Sequence, residues 1–409
     1  MSSRKRPDEL LQKVVDAYVT AGRNECNAAN KLGMVRSTFQ GIHREAKRLG
    51  FKPSQEALEA PVEEDLSYKD QVRALEAQLK QVKKDTLDDE FVKRQIIKLS
   101  EQSVEPPEWL VKAPKGSGFP GVPTIFASDW HWGEVVDPNQ INGVNEFNLK
   151  IAQDRAKSLV EVSTDLLKNH IAKPDYPGIV FALGGDMISG DIHEELSATN
   201  EKEVMPTIVD LWGVLVWCID QLADQFGNVF VPCVTGNHGR NTHKMRAKGR
   251  NFTSFDWLLY QFLAKRYEGD ERVRFLIPDG SDAFYSIYGH RYLLTHGDQF
   301  RGGDGMIGAL GPIIRGDHKK RSRNAQIDME YDTLIIGHWH QLIQMQRLVV
   351  NGSLKGYDEY AFQGNFPFEP PRQALWLTHP EHGITFTAPV LVDRTKKTRP
   401  VGGWISWKV

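Results

Sequence analysis

The sequence predicts a layered α/β protein preceded by a small all-α domain. Three observations support this. Five short apolar runs in the second half each lead into aspartate, asparagine or histidine, three of them through glycine. Helical stretches, Asp154 to Leu167 and Glu203 to Phe226, separate the first three runs. The N-terminal region, in contrast, carries only helical periodicity broken at glycines. Strands alternating with helices build layers. The expected domains are 1–52 (three helices), 53–121 (a helical linker), 122–392 (the α/β domain) and 393–409 (a tail).

Composition sets limits on both parts. The chain has 409 residues, room for two or three domains. Charged residues make up 25% and hydrophobic ones 40%, as in ordinary globular proteins. A net charge of −2, from 51 basic and 53 acidic residues, gives no whole-chain attraction to nucleic acid, so any such binding needs a local patch. Cys26, Cys218 and Cys233 lack paired metal-ligand spacing and read as small buried or half-buried thiols in a reducing compartment. The first residues contain no apolar core of a secretion signal, and no run approaches the length of a membrane span. The expectation is a cytoplasmic protein with no membrane partner.

In the first domain, Leu10, Leu11, Val14, Val15 and Tyr18 have helical spacing. Asn24 to Leu32 reads as a second helix with Ala28, Ala29 and Leu32 inward. After Gly33-Met34, a third helix opens with Ser37 as candidate N-cap and turns Phe39, Ile42 and Ala46 inward. This pattern resembles the helix-turn-helix domains of resolvases and small regulators. The resemblance implies that the third helix enters a DNA major groove. Arg36, Ser37, Thr38, Gln40 and Arg44 would then form the reading face, with Lys47 and Arg48 near phosphates. A three-helix interaction module is the alternative.

Pro53 to Pro61 reads as a polar linker. Tyr68, Val72, Leu75, Leu79 and Val82 form a short a/d seam, either an oligomerising coil, which would make the chain a homo-oligomer, or a packed helix. The helical pattern resumes from Asp89 to Leu99, and a Pro- and Gly-rich stretch closes the region.

The five segments of the α/β domain follow one logic. They end in Asp129-Trp-His131, Gly185-Asp186, Gly236-Asn237-His238, His296-Gly297-Asp298 and Gly337-His338-Trp-His340. Ligand-type residues at the carboxyl ends of strands can converge although they are distant in sequence. With Asp129 and His131 on a chain still extended, the pair can point to one side. Asp186 alone could be a turn cap, and His296 a satisfied core histidine. His193, His243, His290, His379 and His382 read as structural or surface residues.

In this order the motifs resemble the calcineurin-like metallophosphoesterases, over roughly residues 122 to 390. The resemblance implies a layered β-sandwich flanked by helices and two divalent ions, Mn or alternatively Fe, Zn or Ni. Asp129, His131 and His340 would hold one ion and Asn237, His296 and His338 the other, with Asp186 bridging. The ions would activate a water for in-line attack on phosphorus. His238 would protonate the leaving group. Many members carry an acid after Gly-Asn-His, where this chain has Gly239. Arg240, which comes next, could clamp a phosphate oxygen.

Asn139 to Asn148, His243 to Arg250, Arg301 to Gly311 and Arg315 to Arg323 read as substrate-facing, and the basic ones suit a polyanion. Trp130, Trp132 and Trp339 could wall the site, stack a base or simply fill the core. The expected function is a nuclease or phosphodiesterase acting on DNA, in a pairing of modules that looks like phage-encoded proteins of the host cytoplasm. The alternatives are a phosphatase on a protein or metabolite, and a DNA-binding regulator whose phosphoesterase domain is structural.

Overall fold

The computed structural model describes residues 6–59, 105–113, 121–301 and 308–393. The chain forms two compact units, Met1–Gln95 and Ile96–Val409. The seam from Tyr68 to Val82, the pattern from Asp89 to Leu99, most of the Arg301 to Gly311 loop and the tail beyond Asp393 lie outside the described residues.

The first unit contains α1 (Asp8–Thr20), α2 (Glu25–Lys31), α3 (Arg36–Arg48) and α4 (Gln55–Glu59). Leu11, Val14, Val15, Ala28, Ala29, Phe39, Ile42 and Ala46 form its core. Each fully buried large side chain there contributes about 1.5–3 kcal/mol. Asn24 caps α2 by accepting from the backbone N–H groups of Cys26 and Asn27. Two expectations need correction. The N-cap of α3 is Val35 rather than Ser37, and no side chain caps it. The supposed linker after Pro53 holds α4, docked because Asp16 accepts from the Ser54 N–H at 2.7 Å while Ala57 is buried. Cys26 is exposed, whereas Cys218 and Cys233 are buried.

The second unit opens with α5 (Glu108–Val111) and has two sheets. The strands of the first are β1 (Val122–Ala127), β2 (Ile179–Leu183), β3 (Val229–Pro232), β4 (Val273–Leu276), β10 (Arg372–His379) and β11 (Gly383–Leu391), in the order β11-β10-β1-β2-β3-β4. β1 to β4 run parallel, with Thr124 opposite Val180 and Val229 opposite Val273. β10 is antiparallel to β1. The second sheet holds β5 (Asp282–Ile287), β6 (His290–Thr295), β7 (Thr333–Ile336), β8 (Ile343–Met345) and β9 (Leu348–Val350), in the order β5-β6-β7-β9-β8. Every residue of β1, β2, β3 and β7 is buried, which explains why these strands read as unbroken apolar runs.

Alternation along the strands sorts the layers. Ile125, Phe181 and Val231 point to one core with α6 (Leu149–Asn169), α8 (Val204–Phe226) and α9 (Phe255–Arg266). Phe126, Val180 and Phe230 share a second core with Tyr292, Leu294 and Ile335, so the sheets pack face to face. Leu293, Leu334 and Ile336 pack outward against Ile313 of α10 (Leu310–Ala325). The short α7 (Glu194–Thr199) and α11 (Glu359–Gln363) lie in connecting loops. By length and composition alone, α8 is long and apolar enough to cross a membrane, with a mean hydropathy of 1.3. It nonetheless buries Leu211, Leu215, Ile219 and Leu222 in the first core.

Candidate metal centre

The carboxyl ends of β1, β2 and β3 in one sheet and of β6 and β7 in the other bring the five motifs together. The first two loops continue to pair beyond their strands, with His131 N–H donating to the Asp186 carbonyl at 3.1 Å and Trp132 N–H to Met187 at 3.0 Å. The backbone there is not extended, which corrects the sequence reading. Asp129, His131, Asp186, His338 and His340 have φ of 56°, 47°, 49°, 68° and 50°. Left-handed backbone costs an L-residue roughly 1–2 kcal/mol. Five of the seven expected ligands therefore sit in strained backbone, and such strain persists where the surroundings over-determine it.

Three donor clusters result: Asp129, His131 and His340; His131, Asp186 and His238; and Asp186, His296 and His338. Nε2 of His131 and Nε2 of His340 face each other at 3.0 Å. His340 Nε2 lies 3.5 Å from Asp129 Oδ1, and His296 Nε2 lies 2.9 Å from Asp186 Oδ2. Adjacent ligand atoms around one ion with bonds of about 2.0–2.2 Å are about 3 Å apart. Asn237 Oδ1 is buried and has no hydrogen-bond partner, an orphan acceptor of the kind a cation would satisfy. His338 and His340 go to different clusters, as the spacing suggested. The bare backbones at Gly236 and Gly337 are needed for this closeness. A Cβ on Gly236 would lie 2.0 Å from Asp186 Oδ1, and one on Gly337 would lie 2.4 Å from Asp129 Oδ2.

Protonation fits this donor set. Burial, then the charge of Lys355, holds His131 well below its usual pKa. Burial and the neighbouring His296 push His338 down to about 4. Both rings therefore offer lone pairs at neutral pH. Burial opposes the charge on Asp186, but His296, His238 and His131 outweigh it and keep the carboxyl well below its usual value. Burial likewise opposes a charge on His296, but the Asp186 carboxylate pushes it up to about 10. The proton on His296 balances Asp186, and a divalent ion held by the same two groups would displace it.

A further set of contacts fixes the ligands. Asp129 accepts from Ser128 Oγ at 2.5 Å and from His338 N–H at 2.8 Å. His296 Nδ1 lies 2.8 Å from the Gly184 carbonyl. Glu134 Oε2 is 3.4 Å from His131 Nδ1, and its other oxygen pairs at 2.7 Å with buried Lys355, which also meets Asp358 at 2.5 Å. Asn351 donates to Ser128 Oγ, and Ser353 to the Asp129 carbonyl. Sequence reasoning missed Glu134, Asn351, Ser353 and Lys355. The available signal was Asn351-Gly-Ser353, a polar run after the apolar Leu348-Val-Val350, the same pattern as the five motifs.

Other expectations fare differently. His238 Nδ1 lies 2.9 Å from the Ser189 carbonyl, so that nitrogen donates and Nε2 of the neutral ring is an acceptor. Burial lowers the pKa of His238, so its role as acid requires a proton gained at Nε2. Arg240 spends Nη1 on the Asn237 carbonyl at 2.8 Å and Nε on that of Thr242 at 3.1 Å, bracing the ligand loop. Trp130 and Trp132 are fully buried and donate to Gln373 and Asp210, which makes them core residues. Asn145 is buried, bonded to the Lys355 and Tyr357 carbonyls, and Asn148 caps α6, so these asparagines do not face substrate. Within the basic segments, Arg250 forks onto Asp298 at 2.9 Å twice, and Lys320 and Arg323 pair with Asp282. Lys244, Arg246, Lys248, Arg315 and Lys319 are exposed. Arg246 lines the same small depression as Asn237 and Arg240.

On α3, Arg36, Ser37, Thr38, Arg44, Lys47 and Arg48 are exposed. Gln40 instead donates to Glu25 at 2.6 Å, and Arg36 lies 3.9 Å from the same carboxylate.

No protein-family model matches the chain, and no curated protein does. Solved structures show distant likeness. A predicted phosphoesterase from Streptococcus pneumoniae is 11% identical at a TM-score of 0.25, covering 66% of this chain and 98% of its own. A single mutant of Vps29 from Entamoeba histolytica is 13% identical at 0.27, covering 66% and 99%. A dimetal phosphatase from Danio rerio is 9% identical at 0.32, covering 67% and 100%. Likenesses at these TM-scores carry no argument about activity, which rests on the donor set alone.

Proposed function

We propose that the second unit is a phosphoesterase of the calcineurin-like type that uses two divalent ions, and that its substrate is a DNA phosphodiester. The observation that carries the first part is the donor set itself: Asp186 lies in two of the three clusters, with His131 and His238 in one and with His296 and His338 in the other, and His131 is in turn shared with Asp129 and His340. Asn237 adds a neutral oxygen, which limits negative charge where a phosphate must enter. When bound, the ions would supply Lewis acidity and an activated water, Mn²⁺ suiting this nitrogen and oxygen set. Asp129 and Asp186 hold the carboxylate oxygens in place through bonds to their neighbours' backbones. His238, oriented by the Ser189 carbonyl, accepts a proton at Nε2 and delivers it to the leaving oxygen.

Two features favour a polyanion over a small ester. Arg246 lines one small depression with the ligand Asn237, and Lys244 and Lys248, its neighbours in sequence, are exposed. In the first unit, α3 presents Arg44, Lys47 and Arg48 to solvent. The test is hydrolysis with added Mn²⁺ of single-stranded DNA, duplex DNA and bis-p-nitrophenyl phosphate. The expected result is DNA cleavage that His238→Ala reduces by about 10²–10⁴-fold. Cleavage of the small diester alone would reject DNA and favour the phosphatase reading. With no cleavage at all, the catalytic reading fails.

A further inference from the structure

We infer that Asp256 is a positioning residue that locks the Asp186 loop to the Asn237 loop, and that Gly239 is the glycine this lock requires. The inference rests on the metal-centre reading, and nothing in the five motifs marks Asp256. It is the second residue of α9 and is fully buried. A single oxygen, Oδ2, accepts from the Gly236 N–H at 3.0 Å and from the Asp186 N–H at 3.1 Å. One donor belongs to the proposed bridging ligand itself, and the other immediately precedes Asn237. The loops touch there closely, since a Cβ on Gly236 would lie 2.0 Å from Asp186 Oδ1 and 2.3 Å from the Asp186 backbone nitrogen. The shared acceptor adds to the His238 N–H bond to Asp186 Oδ1 at 2.7 Å and fixes both backbones where they come closest. Without it, two buried N–H groups lose their partner and the contact between the two loops loosens.

Gly239 completes the arrangement. A Cβ at that position would lie 2.9 Å from both Cγ and Oδ1 of Asp256. The Gly239 carbonyl accepts from the Phe255 N–H at 2.6 Å, tying the start of α9 to the same turn. A side chain at 239 and a carboxylate at 256 thus compete for one space.

The experiment is titration of the full chain with Mn²⁺ by calorimetry, with thermal melting measured in parallel. Asp256→Ala is expected to weaken Mn²⁺ binding by about 10–100-fold, the usual cost of losing a group that orients ligands. Asp256→Asn keeps an oxygen for both N–H groups and should lose much less than the Ala variant. Leu263→Ala, buried on the same helix, should lower the melting temperature without moving the affinity. Gly239→Asp should weaken Mn²⁺ binding when Asp256 is present and recover part of the loss when combined with Asp256→Ala. The inference is overturned if Asp256→Ala binds Mn²⁺ like the parent, if Asp256→Asn fails as badly as Ala, or if Leu263→Ala loses affinity in step with its stability. It is also overturned if Gly239→Asp binds normally. A parent chain that binds no Mn²⁺ would overturn the metal-centre reading as well, whereas normal binding by the parent confines any failure to the role of Asp256.

Discussion

The third helix of the first unit and the metal centre of the second both present polar side chains, in opposite ways. On α3 the candidate contacts stand on a regular helix, mostly exposed, with the Phe39, Ile42 and Ala46 face buried beneath them. At the candidate metal centre Asp129, His131, Asp186 and His296 are buried, Asn237, His338 and His340 are half-buried, and five of the seven sit on left-handed backbone held by neighbours. A phosphate-contacting cation works as a mobile charge, so a helix surface is enough to display it. A dinuclear site needs donor atoms fixed to within a fraction of an ångström, and only a packed surround can hold them there. The helix can therefore change one residue at a time. The centre cannot.

The largest break should come at the shared ligand. Asp186→Asn removes the carboxylate common to two clusters, and calorimetric Mn²⁺ titration should show both ions lost or weakened by more than any change around the site produces. Retention of two tight ions would show that Asp186 does not bridge. Next comes the carboxylate behind His131. Glu134→Gln leaves Lys355 buried with only Asp358 as a counter-charge and removes the negative charge beside His131 Nδ1. A loss of about 10–100-fold in Mn²⁺ affinity is expected. An unchanged affinity would make Glu134 a fold residue only. Smaller and of another kind is Arg44→Ala on α3. It should reduce the slope of log affinity for duplex DNA against log salt by about 1, while hydrolysis of bis-p-nitrophenyl phosphate stays constant. A change in the small-ester rate would contradict the division of labour.

The smallest effect sharpens the comparison through pH. His43 of α3 is buried beside Tyr18 and Phe39. Burial first, then Lys47, lowers its pKa below 6.5 against an opposing pull from Glu25. The unfolded chain therefore takes up this proton first. His43's contribution is fully present above the unfolded value of about 6.5 and declines as pH falls toward the folded value. Amide-exchange protection of α1 to α3 in the full chain should drop between pH 7 and 5, and less so in His43→Leu. Equal slopes in both proteins would remove His43 as the cause.

How far the sequence could be read depends on the range of each interaction. The ends of β1, β2, β3, β6 and β7 and the ligand types after them were legible because each motif is local: a run of apolar residues, then a donor. The core faces of α1 to α3 were legible for the same reason, through helical spacing. The errors concern backbone angle and partnership. Extended backbone at Asp129 and His131, a Ser37 cap, a linker after Pro53 and substrate-facing asparagines at 145 and 148 all gave way to contacts from elsewhere in the chain.

The sequence by itself determined which side chains could serve as donors and in what order the chain would deliver them, because strand periodicity and residue chemistry are local properties. Only the tertiary structure decided the left-handed turns that aim those donors, the burial of Trp130 and Trp132, and the support from Glu134, Lys355 and Asp256. Asp256 reaches Asp186 across 70 residues and Lys355 reaches Glu134 across 221. No local pattern encodes such pairings, which arise when two sheets pack face to face and bring their strand ends together.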